Sequence, residues 1–315
     1  MVNLPKPADA DRVAFAREDY ALYAGVVFLW GTSWIALHYQ LGVVAPEVSI
    51  FWRFLLSSAL MFAWAFWQGA PLRFGLADHV RFAALGLFLF STNYMCFYYS
   101  GLSTPSGLLA VVFSLASVGN MLLGAMIFGT RPAPRTLVGA LLGFAGIAWM
   151  FEPQLTGPTA SVASVTGLLL AVAGTTCFCA GNMMSTAIQR RGVSVLSANT
   201  WSMTYGALFL LVICIAKGSR FEIEATPLYL GALIWLALCA SVVAFAAYLT
   251  LLGRIGASRA GYSTVMYPVV ALALSSLLEG YVWTWQAGLG LVLVMIGNLL
   301  VLTGGQRAKP QTVPE

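Results

Sequence analysis

The sequence predicts an all-α integral membrane protein, with ten transmembrane helices in two inverted five-helix repeats and both termini in the cytoplasm. Three observations carry this expectation. Of 315 residues, 60% are hydrophobic and 9% charged, with a mean hydropathy of +0.84, more apolar surface than an ordinary water-soluble globule hides. The apolar residues gather into ten stretches, each read as one crossing of a bilayer. Residues 149 apart along the chain match weakly but widely, as the two copies of a duplicated unit do.

A helix advances ~1.5 Å per residue, so about 20 mostly apolar residues cross the hydrocarbon. The first 19 residues are polar, with Lys6, Asp9, Asp11, Arg12, Arg17, Glu18 and Asp19, and lead into a full-length span rather than a brief signal-peptide core. No cleaved leader is expected. The first repeat, 20–151, holds spans at Tyr20 to Leu41, Val48 to Trp67, Val80 to Ser100, Pro105 to Phe128 and Thr136 to Phe151, the last of them short. Trp64 and Trp67 suit an interfacial anchor at the end of the second span. Pro105, Pro132 and Pro134 bound helices, because proline lacks the N–H that a helix interior needs. A linker at 152–164 joins the second repeat, 165–303. Its spans are Val165 to Ile188, Ala198 to Ala216, Pro227 to Leu252, Gly261 to Leu278 and Trp285 to Thr303. Pro268 lies inside the ninth span, where it frees a carbonyl and kinks the helix, either as a gate or as a fixed bend. Trp283 and Trp285 anchor the entry to the tenth. The tail, 304–315, has Arg307, Lys309 and a Pro-containing polar stretch that gives no reason to order.

Cytoplasmic loops retain Lys and Arg. With the N-terminus inside, thirteen basic residues fall on the inner side, from Lys6, Arg12 and Arg17 through Arg73, Arg81, Arg131, Arg135, Arg190, Arg191, Arg254 and Arg259 to Arg307 and Lys309. Only Lys217 and Arg220 fall outside, and Arg53 lies within the second span. The net charge of +5 is thus accounted for by anionic lipid, with no nucleic-acid partner required. The linker at 152–164 is then external.

The offset of 149 superposes Trp52 on Trp201, Trp30 on Cys179, Thr130 on Glu279 and Gly139 on Gly288. In the third and fourth spans it drifts to 154, placing Tyr94 on Tyr248 and Gly107 on Gly261. An odd number of spans per copy turns the second upside down, so a gate on one face has a counterpart on the other. Small residues recur at sevens in Gly139 and Gly146, in Gly167, Gly174 and Gly181, and in Gly290, Gly297 and Gly304. Such smooth faces serve close helix packing or sliding during transport.

The segments Trp30-Gly31-Thr32-Ser33, Pro46, Arg53-Phe54, Ile255-Gly256-Ala257-Ser258-Arg259-Ala260, Tyr267-Pro268 and Glu279-Gly280, in this order and spacing, resemble the drug/metabolite transporter superfamily in its ten-span EamA type. The resemblance covers about Tyr20 to Thr303, and within that type it is closest to bacterial aromatic amino-acid exporters. It implies a carrier in the bacterial inner membrane, exporting aromatic and other neutral amino acids by alternating access. Two departures stand out: Thr130 occupies the first-half counterpart of Glu279, and Ser202 the second-half counterpart of Arg53.

Polar groups at mid-span depth are costly in hydrocarbon unless paired or facing water, so they are the candidate site. On span three, Asn93, Phe97 and Ser100 share a face, with Tyr94 and Tyr98 alongside; span eight offers Ser241 and Tyr248. Span one adds Trp30, Trp34 and His38 at four-residue intervals, span six Asn182, span seven Trp201 and Tyr205, and span nine Tyr267. Together they would wall a cavity for a small amphipathic solute with a flat apolar part. Each aromatic has packing or lipid contact as its alternative. His38 is either a pH-sensitive or carboxylate-binding group or a neutral hydrogen-bonding one. Arg53 either captures a substrate carboxylate or acts structurally, by snorkelling outward or pairing with Glu47 or Glu152. Glu279, at the end of span nine, reads as a cap or ion pair.

No carboxylate falls at mid-membrane depth, which predicts facilitated movement rather than strict proton antiport. The five cysteines lie inside spans, so no disulfide is expected. Cys177 and Cys179 point in different directions and make no metal pair. No cofactor is expected either. Two histidines, His38 and His79, without a buried acid do not make an enzyme centre, and no phosphate-binding loop supports an ATP-driven pump. A channel would show rings of like charge, and a carrier of phosphorylated or nucleotide-linked sugars would need more mid-membrane cations than Arg53. A multidrug carrier, a carrier of phosphorylated or nucleotide-linked sugars and, less favoured, a channel remain the alternatives. Ten spans enclose a pathway without a second copy, so a monomer is expected.

Overall fold

The structure, a computed structural model, describes residues 17–128, 133–157, 161–255 and 263–303. Thr130, the motif residues Gly256 to Ala260, Gly304 and both terminal segments lie outside the described residues. Ten helical spans follow in order: α1 Arg17–His38, α2 Pro46–Trp67, α3 Leu76–Gly101, α4 Ser106–Ser114 continuing as Ala116–Phe128, α5 Pro134–Thr156, α6 Val162–Gln189, α7 Val195–Lys217, α8 Pro227–Ile255, α9 Ser263–Leu278 and α10 Trp285–Thr303. Nine of these are long and apolar enough to cross a membrane, and α9 contributes the shorter apolar stretch Val265–Leu278.

Local chemistry explains where the helices begin. Pro46, Pro134 and Pro227 occupy first turns, where a missing N–H removes no bond. Ser161, Ser194 and Thr226 cap α6, α7 and α8, accepting from Ser164 N at 3.1 Å, Ser197 N at 3.0 Å and Tyr229 N at 3.3 Å. These caps start α6 and α7 three residues earlier than hydropathy alone indicates. The fifth helix outlasts its apolar core and runs to Thr156, with Pro153 in its last turn. Gly218 ends α7 in the left-handed region, at φ 66°, a conformation that costs glycine least.

Among the described residues two helices contain π-helix, and α4 is interrupted at Leu115. Phe88–Thr92 in α3 and Trp235–Val243 in α8 are wound as π-helix. They fall in the third span of each half. Such wide turns leave carbonyls that side chains then claim. Ser241 Oγ donates to Leu236 O at 2.8 Å, Ser57 Oγ to Ala237 O at 3.3 Å and Trp30 Nε1 to Ala240 O at 3.3 Å. In α3, Asn93 Nδ2 donates to Leu89 O at 3.2 Å.

The glycine series lie in helix seams. A Cβ on Gly297 would stand 2.5 Å from Gly139 O, and one on Gly146 2.7 Å from Gly290 O, so α5 and α10 run antiparallel with their backbones touching. Gly167 of α6 meets Thr104, just past the end of α3, and Gly174 and Gly181 meet Phe97 and Leu89 of α3, again antiparallel. In parallel pairs, Gly31 of α1 approaches Val270 of α9, and Gly86 and Gly206 join α3 to α7. Lipid tails are as apolar as the side chains, so van der Waals contact at such seams holds the bundle. The outward faces stay apolar, with Leu141, Phe144, Leu169 and Val212 exposed. Trp67, Trp283 and Trp285 are exposed at helix ends, as interfacial anchors are.

Candidate functional site

For description, the near end of the bundle is where α1 begins, the end that the charge count assigns to the cytoplasm, and the far end is where α1 finishes.

Rings from both halves converge where α1, α3, α4, α6 and α9 meet. Phe113, at the end of the first part of α4, is the hub. Its ring centroid lies 5.5 Å from Trp34, 5.4 Å from Phe97, 4.6 Å from Phe178 and 6.2 Å from Tyr267. Trp34 and Phe97 also meet edge to face at 5.2 Å. These separations are those at which aromatic pairs attract through their quadrupoles. Tyr267 is buried one residue before Pro268, on the face of α9 against Gly31. One turn nearer the start of α1, Trp30 stacks obliquely on Tyr248 of α8 at 5.1 Å.

Beside these rings lies a buried cation. Arg53 of α2 is 4% exposed. Its guanidinium stacks 4.5 Å from the centroid of Tyr94 and 5.5 Å from that of Phe54. Its Nη2 reaches Ser241 Oγ at 3.5 Å, and it lies against the Tyr98 hydroxyl. Tyr98 in turn donates to Gln40 Oε1 at 2.7 Å. The expected pairing of Arg53 with Glu47 or Glu152, or its snorkelling outward, does not occur. Six positions on one helix put Glu47 about 120° around from Arg53, and Glu152 instead accepts from Thr156 Oγ1 at 2.7 Å.

Two polar networks join helices at the far end. Glu47, whose side chain is 2% exposed, pairs with Lys217 Nζ at 2.8 Å and accepts from Ser219 Oγ at 2.6 Å and from the Tyr99 hydroxyl. Lys217 also donates to Tyr99, so α2, α3 and α7 share one knot. Glu279, with its side chain 5% exposed, caps α4: Oε2 accepts from Ser106 N at 2.9 Å and Ser275 Oγ at 2.8 Å, and Oε1 faces His38 Nδ1 at 3.5 Å, an ion pair only when that imidazole is protonated. His38 is therefore drawn to α9 and α4.

Four expected lining residues are seated elsewhere. Trp201 and Tyr205 lie toward the near end against His79, with Trp201 Nε1 donating to Leu72 O at 3.1 Å and the Tyr205 hydroxyl 3.0 Å from His79 Nδ1. Asn182 donates to Asn120 Oδ1 at 3.2 Å, bridging α6 to α4. Ser100 is spent on packing, donating to Gly167 O. Sequence reasoning passed over Phe113, Phe178, Gln40, Tyr99 and Lys217. Of these, Gln40 carried a usable signal as an amide just past the end of an apolar helix. Two apolar grooves of about 490 and 420 Å³ open on α1, one against α8 and one against α9 and α10. Both lie apart from the Arg53 niche and the aromatic hub, and they suit lipid tails.

Comparison with known proteins agrees with this architecture. The model of the EamA-like transporter family matches the chain twice, over residues 20–152 and 165–303. A "Probable amino-acid metabolite efflux pump" of Escherichia coli (strain K12) is 26% identical over 301 residues, covering 92% of this chain and 96% of that protein. A protein of the same name from Salmonella typhimurium is 27% identical, with the same coverage. "Uncharacterized transporter YyaM" of Bacillus subtilis is 22% identical over 89% of this chain and 92% of its own length. A solved crystal structure, 19% identical, superposes with a TM-score of 0.65 over 91% of this chain and 96% of that one, a likeness of fold alone.

Proposed function

The chain belongs to the EamA-like transporter family, and from that premise we propose that it exports small amphipathic metabolites, aromatic and other neutral amino acids above all, by alternating access. The observation that carries this reading is the Phe113 hub, five rings drawn from both repeats beside a buried arginine. A flat apolar side chain can replace ring–ring contacts there at little cost, while the polar head of the same molecule lies toward α2 and α8. Two relatives whose names describe amino-acid metabolite efflux add support.

Movement down a gradient fits the placement of the acids. Among the described residues the buried carboxylates are Asp19, Glu47 and Glu279, all at helix ends, and the last two are engaged by Lys217 and by the N-terminus of α4. None sits beside the aromatic hub, where a proton would have to exchange with substrate. A phosphorylated or nucleotide-linked sugar would bring at least two negative charges to a niche with one cation. The unit of transport is the monomer, since one chain supplies every ring and the arginine.

Counterflow in proteoliposomes tests the proposal. Labelled phenylalanine inside should leave faster when unlabelled phenylalanine is supplied outside, should saturate, and should not need a pH gradient. Unsaturable flux would indicate a channel, and stoichiometric proton counterflow would overturn facilitated movement.

A further inference from the structure

We propose that Arg53 and Gln40 form a seat for one carboxylate, so that the transported molecules are monocarboxylates with a flat apolar group; this rests on the transport reading of the same site. Arg53 is 4% and Gln40 1% exposed, and among the described residues no acid lies within ion-pairing distance of the guanidinium. A buried cation without a counter-ion is expensive, and an arginine offers five N–H donors in a fixed fork. Here few of them are used. The contact to Ser241 Oγ is long, at 3.5 Å, and Arg53 Nε has no hydrogen-bond partner. The faces of the guanidinium are covered by Tyr94 and Phe54, which leaves its edge as the place for an anion.

Gln40 has the complementary defect. Its Oε1 accepts from Tyr98, which fixes the amide, and its Nε2 is left buried with no partner. Arg53 and Gln40 meet at the Tyr98 hydroxyl, which lies against the Arg53 side chain and donates to Gln40 Oε1. Two unpaired donors on side chains that share this neutral hydroxyl, one of them cationic, match the two oxygens of a carboxylate. One positive charge balances a monoanion, whereas a dianionic phosphate would leave surplus charge buried. Ser202 stands at the second-half counterpart of Arg53, so each molecule has one seat.

The wild-type protein in proteoliposomes provides the test, with L-phenylalanine, 3-phenylpropionate, phenylalaninamide and phenethylamine as competitors of labelled phenylalanine and as substrates. The two carboxylates should compete, and the amide and amine should do so at least about tenfold more weakly, having lost charge-assisted hydrogen bonds. Competition by the amide and amine within about threefold of phenylalanine would overturn the seat while leaving the transport reading intact. If none of the four is carried, the transport reading falls and the seat with it. Gln40→Glu supplies the missing anion internally: phenylalanine should weaken at least tenfold while phenethylamine holds or improves, so that the preference between them collapses. A uniform loss for both ligands would assign Gln40 a structural role and overturn its part in the seat.

Discussion

Removing the positive charge from the far-end knot should loosen that end of the bundle by a calculable amount. In Lys217→Met, Glu47 stays buried at 2% exposure but loses its cation, keeping only Ser219 and Tyr99 as donors. Stripping one partner from a fully buried pair costs about 3–5 kcal/mol, and an exposed pair is worth about 0–1. With the Lys217 side chain 47% exposed and two hydrogen bonds retained, the loss should be about 1–3 kcal/mol, intermediate between these limits. If the far end opens during transport, Glu47 becomes hydrated there, and the variant should favour the open form about 5- to 150-fold. Cys214 reports this directly, because it is fully buried one turn before Lys217 on α7. With Cys96, Cys177, Cys179 and Cys239 replaced by alanine, maleimide should label Cys214 at least about fivefold faster in Lys217→Met. Adding Glu47→Gln should restore the slower rate, since no unpaired charge then remains. Labelling within a factor of two of the parent, in protein that still elutes as a folded monomer, would refute the knot as a closure of the far end.

Three further outcomes are expected. Gly297→Ala puts a methyl 2.5 Å from Gly139 O and 2.7 Å from Gly143 N, backbone atoms that cannot step aside, and overpacking of this kind costs about 1–3 kcal/mol; thermal unfolding in detergent should fall by several degrees. Gly25→Ala, with nothing within 4 Å of the added methyl, should leave stability equal or raise it by up to about 1 kcal/mol, and equal losses in both would discredit the seam. Phe113→Ala removes contacts to four rings, worth about 0.5–1.5 kcal/mol each, and should raise KM for phenylalanine more than for alanine in counterflow. Glu279→Ala strips Ser106 N of its acceptor and should lower stability by about 1 kcal/mol as a lost helix cap does, whereas Glu279→Gln keeps an acceptor and should change it much less.

The helices were legible because lipid imposes one rule on every span: apolar, about 20 residues long, and bounded by charge, proline or tryptophan. The glycine series were equally legible as close-packed faces, although nothing in their spacing tells which helix each face meets. Depth and direction were harder. Trp30, Trp34 and His38 do share a stripe of α1, yet each reaches different neighbours: α8, then α3 and α4, then α9. Trp201 and Tyr205 lie toward the near end because α3 brings His79 to that level, a partner more than 120 residues away that no local pattern reveals. Phe113 looked like any phenylalanine in an apolar helix, and Lys217 like a loop lysine, since their importance comes wholly from distant contacts. The π-helical segments left no trace either, as a change from i→i+4 to i→i+5 bonding has no compositional mark.

Those wide turns carry a consequence of their own. Each stores surplus backbone in the middle of a span, and tightening it to regular geometry would not break the helix but would rotate everything beyond it by up to about 100°, the angle of one residue. In α3 the side chains beyond the turn are Asn93, Tyr94 and Phe97, and in α8 the turn itself contains Ser241. The walls around Arg53 are thus set by winding as much as by residue identity. Such a twist in one repeat would turn a different set of side chains toward Arg53 while the helix itself stays continuous.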